Sequence, residues 1–361
     1  MTASTDTRHF PCEGCGADLV FGIGVQALKC SHCGFEKAIT VSGEVVERDF
    51  ISGLQKQRQM RNSESQSGSS AEEVECAGCG SKLLFEDGKI SSSCGYCGAP
   101  LQNAKATDGS DRLAIDGVLP FGIDREHARK NLREWVASRW FAPSEFKSRG
   151  VQGRFEGMYC PFWTFDAMTA SFYRGERGED YTVEVGSGDD RRTETRTRWY
   201  RVDGNFQRFF DDVIVPGIRD EFLELMRKIE PWPFTDLQPY DGALLAGKQA
   251  KAYDVDLEPA FGDAQRQIDD SIRDEVRRRI GGDRQRVHSV DTSYDAVTYK
   301  YVLLPTWSLA YRYNEKTYRV LVNGATGEVQ GERPWSIAKI AAAVLSAAAV
   351  IGGALYASGA L

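Results

Sequence analysis

Two short stretches constrain this chain more than the rest of it: CEGCGADLVFGIGVQALKCSHCG, opening at Cys12, and CAGCGSKLLFEDGKISSSCGYCG, opening at Cys76. In each, two Cys-x-x-Cys pairs stand fourteen residues apart. A Cys-x-x-Cys turn lets two sulfurs reach one ion, and the second pair completes a tetrahedron at about 2.3 Å per Zn–S bond. Glycine follows each pair, at Gly16, Gly34, Gly80 and Gly98, where a left-handed backbone can turn knuckle amides toward sulfur. The pattern predicts two zinc ribbons, liganded by Cys12, Cys15, Cys30 and Cys33 and by Cys76, Cys79, Cys94 and Cys97. Two structural Zn2+ ions are expected, with iron the lesser option because sulfur ligands alone do not exclude it. Four thiolates saturate zinc and leave no position for a catalytic water. A metal closed in this way stabilises a domain too small to bury its own core.

The 361 residues suffice for two to three domains, and a net charge of −7 offers no basic field to hold nucleic acid. The first residues, MTASTDTRHFPCEGC, lack the apolar core of a signal peptide. Eight of nine cysteines fall in the two clusters, which suits metal binding better than disulfides in an unexported region. Organisation along the chain reads as ribbon 1 over 8–50, a disordered linker over 51–73, ribbon 2 over 74–102, a second linker over 103–112, a core-forming body over 113–333, and an apolar terminal helix over 336–361. The fold class is α+β.

Within the body, an internal repeat is expected, each copy a helix packed on antiparallel sheet. One helix runs from Asp124 to Phe141 with Ala128, Leu132, Trp135, Val136 and Trp140 apolar. The other runs from Asp263 to Ile280 with Ala264, Ile268, Ile272, Val276 and Ile280 on one face and Gly281-Gly282 as the stop. Each precedes a strand-like run carrying Pro-x-Trp, at Pro161/Trp163 and Pro305/Trp307. A hairpin is read around Asn314-Glu315-Lys316, a turn around Asn323-Gly324 and Thr326-Gly327, and a third helix over Ile218–Ile229. Cys160 aligns with Leu304 and reads as a small buried hydrophobe. His32 reads as a solvated knuckle residue.

From Ile340 to Leu361 no residue is charged. As a helix the segment would span about 33 Å, against about 30 Å of hydrocarbon. With Trp335 and Lys339 before it, it reads as a transmembrane tail anchor, with Arg333 and Lys339 on the cytoplasmic side. Small residues four apart, such as Ala348 and Gly352, could allow a homo-oligomeric helix contact.

Enzyme signatures are absent. GALLAGKQ at 242–249 has the G-x4-G-K spacing but carries Gln249 where a P-loop needs Ser or Thr, so it reads as a connecting turn. The arginines of the second helix, Arg266, Arg273, Arg277, Arg278 and Arg279, alternate with acids and read as a solvated face. Asp189-Asp190 and Asp211-Asp212 read as exposed turns.

The order CxxC-x14-CxxC (twice), VLPF at 118–121, YCPFWTFDA at 159–167, LLPTW at 303–307, VNGATGEVQGERP ending at Pro334, and a terminal apolar helix resembles the bacterial TFIIB-type zinc-ribbon membrane proteins, a group sometimes labelled PriA-like. The helicase label does not fit a chain without a nucleotide-binding motif. The resemblance implies association with membrane-stress systems built on phage-shock protein A and SPFH-type proteins. It points to a non-enzymatic, tail-anchored adaptor at the cell membrane, with its N-terminal domains in the cytoplasm and paired ribbons docking protein partners. The alternative is a membrane-tethered nucleic-acid-binding or transcription-related factor.

Overall fold

The computed structural model describes residues 10–62, 71–76, 80–86, 94, 106–108, 112–144, 154–186, 191–219, 222–313 and 316–357. Its class is α+β. Strands β1 (Leu19–Gly22), β2 (Ala27–Cys30) and β3 (Glu36–Ala38) form a separate antiparallel sheet in that order. The β1–β2 turn closes at Gly22↔Ala27, with Gly24 at φ 86°.

Residues 51–62 are not the unstructured linker expected. After β4 (Arg48–Asp49), helix α1 runs Phe50–Asn62. Its buried stripe is thin, Phe50, Gly53, Leu54 and Met60 with the polar Gln57, yet it has helical spacing and faces the body. Phe50 packs 4.5 Å from the Phe261 ring, and Gln57 donates to Tyr253 Oη at 3.3 Å. A side chain at Gly53 would overlap the Tyr299 ring, so the absence of a Cβ there lets the helix dock.

β5 (Ala71–Glu75), β6 (Lys82–Glu86) and β7 (Ala106–Asp108) carry the second cysteine region. The linkers expected over 51–73 and 103–112 thus both contain strand. β6 pairs with β12 (Gln249–Lys251) through Ala250↔Leu84 and Lys251↔Leu83, which joins this region to the edge of the main sheet.

The body comprises two interlocked helix-and-strand units. One unit is β8 (Gly117–Val118), α2 (Arg125–Ala137) and β9 (Arg154–Val185), with β10 (Arg192–Pro216) beside β9. A short helix α3 (Leu223–Met226) and strand β11 (Gln238–Pro239) follow. The second unit is β12, α4 (Leu257–Ile280) and β13 (Arg284–Tyr313), with β14 (Lys316–Asn323) beside β13 and β15 (Val329–Gly331) beside β14. β9 and β13 run antiparallel at the centre of the sheet, and Cys160 faces Leu304 across the pair. β8 adds parallel to β13, and β12 adds parallel to β9. Each initial strand therefore completes the other unit.

The backbone repeats the arrangement bond for bond. Gly217 donates to the Pro161 carbonyl and Gly324 to that of Pro305, both at 2.8 Å. Asp254 and Val255 donate to the Gly217 carbonyl, and Gly122 and Ile123 to that of Gly324. Phe121 lies 5.1 Å from Trp307 and Tyr253 5.1 Å from Trp163.

Asp124 caps α2, accepting from the amides of Glu126 and His127. α4 starts earlier than the Asp263 expected, because Asp256 takes the N-cap position and Pro259 falls in the first turn, where no helical donor is lost. The third helix shrinks to Leu223–Met226. Ile218, Phe222, Met226 and Ile229 are all buried, but Gly217 is bound at its amide to β9 and at its carbonyl to the loop before α4, which holds Ile218 out of a helix. The β13–β14 hairpin forms with Tyr313↔Lys316 as its last pair, and Asn323 Oδ1 accepts from Ala325 and Thr326 in the following turn.

The strands are far longer than local pattern suggests: 32 residues in β9, 25 in β10 and 30 in β13. Their far ends form a three-stranded arm. Ile268, Ile272, Val276 and Ile280 of α4 pack on Tyr173, Phe206 and Phe210 of one arm face. Bulges at Phe210/Val213 and Asp295/Thr298 mark its root.

The terminal segment is helical, α5 (Ile337–Ala357). Among the described residues no helix is long and apolar enough to cross a membrane; the side chains of α5 are described as far as Gly352. From Ala341 to Ile351 every residue is exposed.

Candidate metal centre

The first cysteine set converges. Cys12 and Cys15 lie on the turn before β1, Cys30 closes β2, and Cys33 lies on the turn before β3. Both turns close in the same way, with Gly16 donating to the Cys12 carbonyl at 2.8 Å and Gly34 to that of Cys30 at 3.0 Å. The two glycines adopt φ of 72° and 78°, left-handed values that a Cβ disfavours. The β1–β2 pairing places one knuckle over the other. Cys12 Sγ stands 3.4 Å from Cys33 Sγ, Cys15 Sγ stands 3.5 Å from Cys30 Sγ, and all four sulfurs lie within 4.8 Å of one another.

This donor set fits a tetrahedral ion. With Zn–S bonds of about 2.3 Å the sulfurs of a filled site stand about 3.8 Å apart. The set comprises two buried sulfurs, Cys12 and Cys30, and two exposed ones, Cys15 and Cys33. The Cys30 thiol is brought down to about 6, chiefly by the backbone N–H of Cys33 and, against burial, by that of His32. Cys33 is pushed up to about 12, the neighbouring thiols of Cys12 and Cys15 outweighing the Phe35 amide that acts the other way. His32 is exposed and outside the four-sulfur set.

Of the second set, Cys76 and Cys94 are buried, while Cys79 and Cys97 lie outside the described residues. The Cys76 knuckle repeats the first: Gly80 donates to the Cys76 carbonyl at 2.7 Å with φ of 70°. Among the described residues there is one four-sulfur cluster.

The first ribbon is docked on the body. Phe21 donates its amide to the Ala246 carbonyl at 3.0 Å, and Leu19, Leu28, Cys12 and Cys30 share a core with Ala243 and Ala246. A Cβ at Gly247 would come within 2.7 Å of Val20, and φ there is 76°. The G-x4-G-K stretch thus serves as the ribbon's seat. It forms a single 3-10 turn, Gly242–Leu245, with strand β12 after it instead of the helix a P-loop requires.

Cys160 is buried, its Sγ 3.2 Å from Thr306 Oγ1. The α4 arginines pair with acids on their own helix, Arg277 with Asp274 and both Arg278 and Arg279 with Glu275, as a solvated face would. Asp211-Asp212 is not a simple exposed turn. It forms the β10 bulge, where Asp212 Oδ1 stands 2.8 Å from Lys300 Nζ. Asp189-Asp190 lies outside the described residues.

Two lysines carried no sequence signal. Lys300 is buried at the arm root with Asp212, Glu47 at 3.0 Å and Asp166 at 3.5 Å. Burial would lower its pKa, but the bonds to Asp212 and Glu47 raise it instead. Lys248 lies over the Phe121 and Trp307 rings, 5.0 and 4.5 Å from their centroids, and burial lowers it to about 8. Alternation places Lys300 in a strand, but its partners come from elements remote in sequence: Asp166 on β9, Asp212 in the β10 bulge and Glu47 just before β4.

The chain is similar to an uncharacterized protein, YdjG, of Bacillus subtilis (strain 168), at 29% identity over 341 residues and 92% of each chain. No family model matches the chain, and no solved structure matches it.

Proposed function

We propose that this protein is a non-catalytic, membrane-attached adaptor whose first ribbon is a structural zinc module presenting its knuckle face to a protein partner. The observation that carries the reading is the convergence of Cys12, Cys15, Cys30 and Cys33 within 4.8 Å. Zinc held by all four has its coordination filled, so it supplies rigidity and no Lewis-acid chemistry. Cys12 and Cys30 would hold it from the buried side, Cys15 and Cys33 from the exposed side. The ribbon's apolar side is occupied by Ala243 and Ala246, so the face left for a partner is the one bearing Cys15, His32 and Cys33. The matching knuckle at Cys76 supports a second zinc module with Cys79, Cys94 and Cys97.

Membrane attachment through α5 is supported by its uncharged sequence from Ile340 onward and by exposure on all sides from Ala341 to Ile351. A helix apolar all round must be covered, and a bilayer covers every side. The resemblance to zinc-ribbon membrane proteins suggests a partner of the phage-shock protein A or SPFH kind, with the ribbons on the cytoplasmic side.

Crosslinking and recovery of partners from native membranes test this reading, comparing the intact chain with the pair Cys15→Ser and Cys33→Ser. Metal and partner should be lost together while the protein stays with the membrane. Partner recovery unchanged after metal loss overturns the adaptor role of the ribbon.

A further inference from the structure

The first turn of α5 is fastened to the segment that follows α2. Ser336 donates its backbone N–H to the Phe141 carbonyl, and Lys339 Nζ donates to that of Ala142, both at 2.8 Å. Large aromatic side chains lie open beside these two bonds. Trp140 is 82% exposed, Trp335 57% and Phe141 37%, next to Ile337 at 83% on the helix. Cations are interleaved with them: the Arg333 guanidinium is 4.3 Å from the Trp335 ring centroid, and that of Arg139 is 4.6 Å from Trp135.

A single exposed tryptophan is ordinary. Here two chain segments nearly two hundred residues apart bring aromatic rings and cations to the root of one apolar helix. An indole has an apolar body and a polar edge, and arginine an apolar stem and a charged head. Both are at their lowest free energy where hydrocarbon meets headgroups.

We infer that Trp140, Phe141 and Trp335 form an interfacial collar that seats the body on a phospholipid bilayer, with Arg139 and Arg333 directed to lipid phosphates. The inference rests on the insertion of α5 proposed above and adds a contact made by the body itself. A bilayer, and not a second copy of the chain, is the occupant because the exposed apolar side chains do not form a stripe. At about 100° per residue, Leu345 and Val350 lie about 80° and 220° round the helix from Ile337, and all three are exposed. One partner helix would cover one side. The collar fixes the angle between α5 and the sheet, and so the direction in which the arm stands away from the membrane.

The test uses the full-length protein in vesicles of phosphatidylcholine and phosphatidylglycerol whose acyl chains carry bromine either near the headgroup or near the methyl end. Shallow bromine should quench tryptophan emission more than deep bromine. Trp140→Phe and Trp335→Phe should each lose part of that quenching, with near-UV circular dichroism retaining the signature of a packed body and the protein staying in the pellet after alkaline carbonate. Quenching unchanged by Trp140→Phe in protein that resists carbonate overturns the collar and leaves α5 insertion standing. Release of the unsubstituted protein by carbonate overturns the insertion and the collar with it.

Discussion

The indole nitrogen of Trp163 donates to the backbone carbonyl of Val255 at 2.9 Å, across the boundary between the two repeat units. Trp307 makes the reciprocal bond to Ile123 at 3.2 Å. Each Pro-x-Trp strand thus latches the loop entering the other unit's helix, which ties the duplicated halves into one cooperative body. Trp163→Phe keeps one aromatic ring but removes the N–H and the five-membered ring, stranding the buried Val255 carbonyl and opening a small cavity, at a cost of at least about 1–3 kcal/mol. Urea unfolding should show a lower midpoint with an unchanged slope.

The same pseudo-symmetry predicts an unequal pair of glycine substitutions. A Cβ at Gly324 would meet the Pro305 carbonyl oxygen at 2.7 Å and the Phe121 ring at 2.8 Å, whereas at Gly217 the nearest atom is the Pro161 oxygen at 3.1 Å. Gly324→Ala should cost about 1–3 kcal/mol and Gly217→Ala less. Thermal unfolding of the two variants side by side checks the order.

Metal stoichiometry offers a third check. Cys12→Ser removes a buried member of the four-sulfur set, and metal analysis of purified protein should show one equivalent fewer than the parent. Because Leu19 and Leu28 sit on Ala243 and Ala246 through the ribbon, amide exchange should accelerate at Gly242–Leu245 as well as over β1 and β2.

At the arm root, Lys300 neutralises the buried Asp166 at 3.5 Å and the half-buried Asp212 at 2.8 Å. Lys300→Met leaves those charges without their cation and should cost about 3–5 kcal/mol. Pairing it with Asp166→Asn should recover part of the loss, which a double-mutant cycle measures.

Lys248 gives a pH signature. Burial first, and the Arg125 charge after it, bring its pKa to about 8 in the folded protein, against about 10.4 in an unfolded chain. Between those values the unfolded state binds more protons, so stability rises with pH across that window and the gain is complete above the unfolded value. The Phe121 and Trp307 rings favour the charged form and take back part of the burial cost. Lys248→Met should lack this rise, and denaturant unfolding at pH 7.5 and 10 compares the two.

Local features were legible from the residues alone. Cys-x-x-Cys turns with glycine after them define the knuckles wherever they are placed, since two sulfurs one turn apart need no distant partner. The Ala128, Leu132 and Val136 stripe of α2 and the Ile268, Ile272 and Val276 stripe of α4 are facts of helical period, and their burial follows. The alignment of Cys160 with Leu304 was also legible, and the structure makes them facing partners. Tertiary structure decided what depends on long-range pairing. Whether Phe50–Asn62 is a helix turned on Phe261 and Tyr253, far along the chain; whether α3 could extend turned on the binding of Gly217 to Pro161. The length of β9, β10 and β13 was hidden because charged and threonine-rich strand ends carry no burial signal of their own. Trp140 and Trp335 come together only because α5 starts against the segment after α2, a placement set by packing free energy over the whole body and by no local preference of either residue.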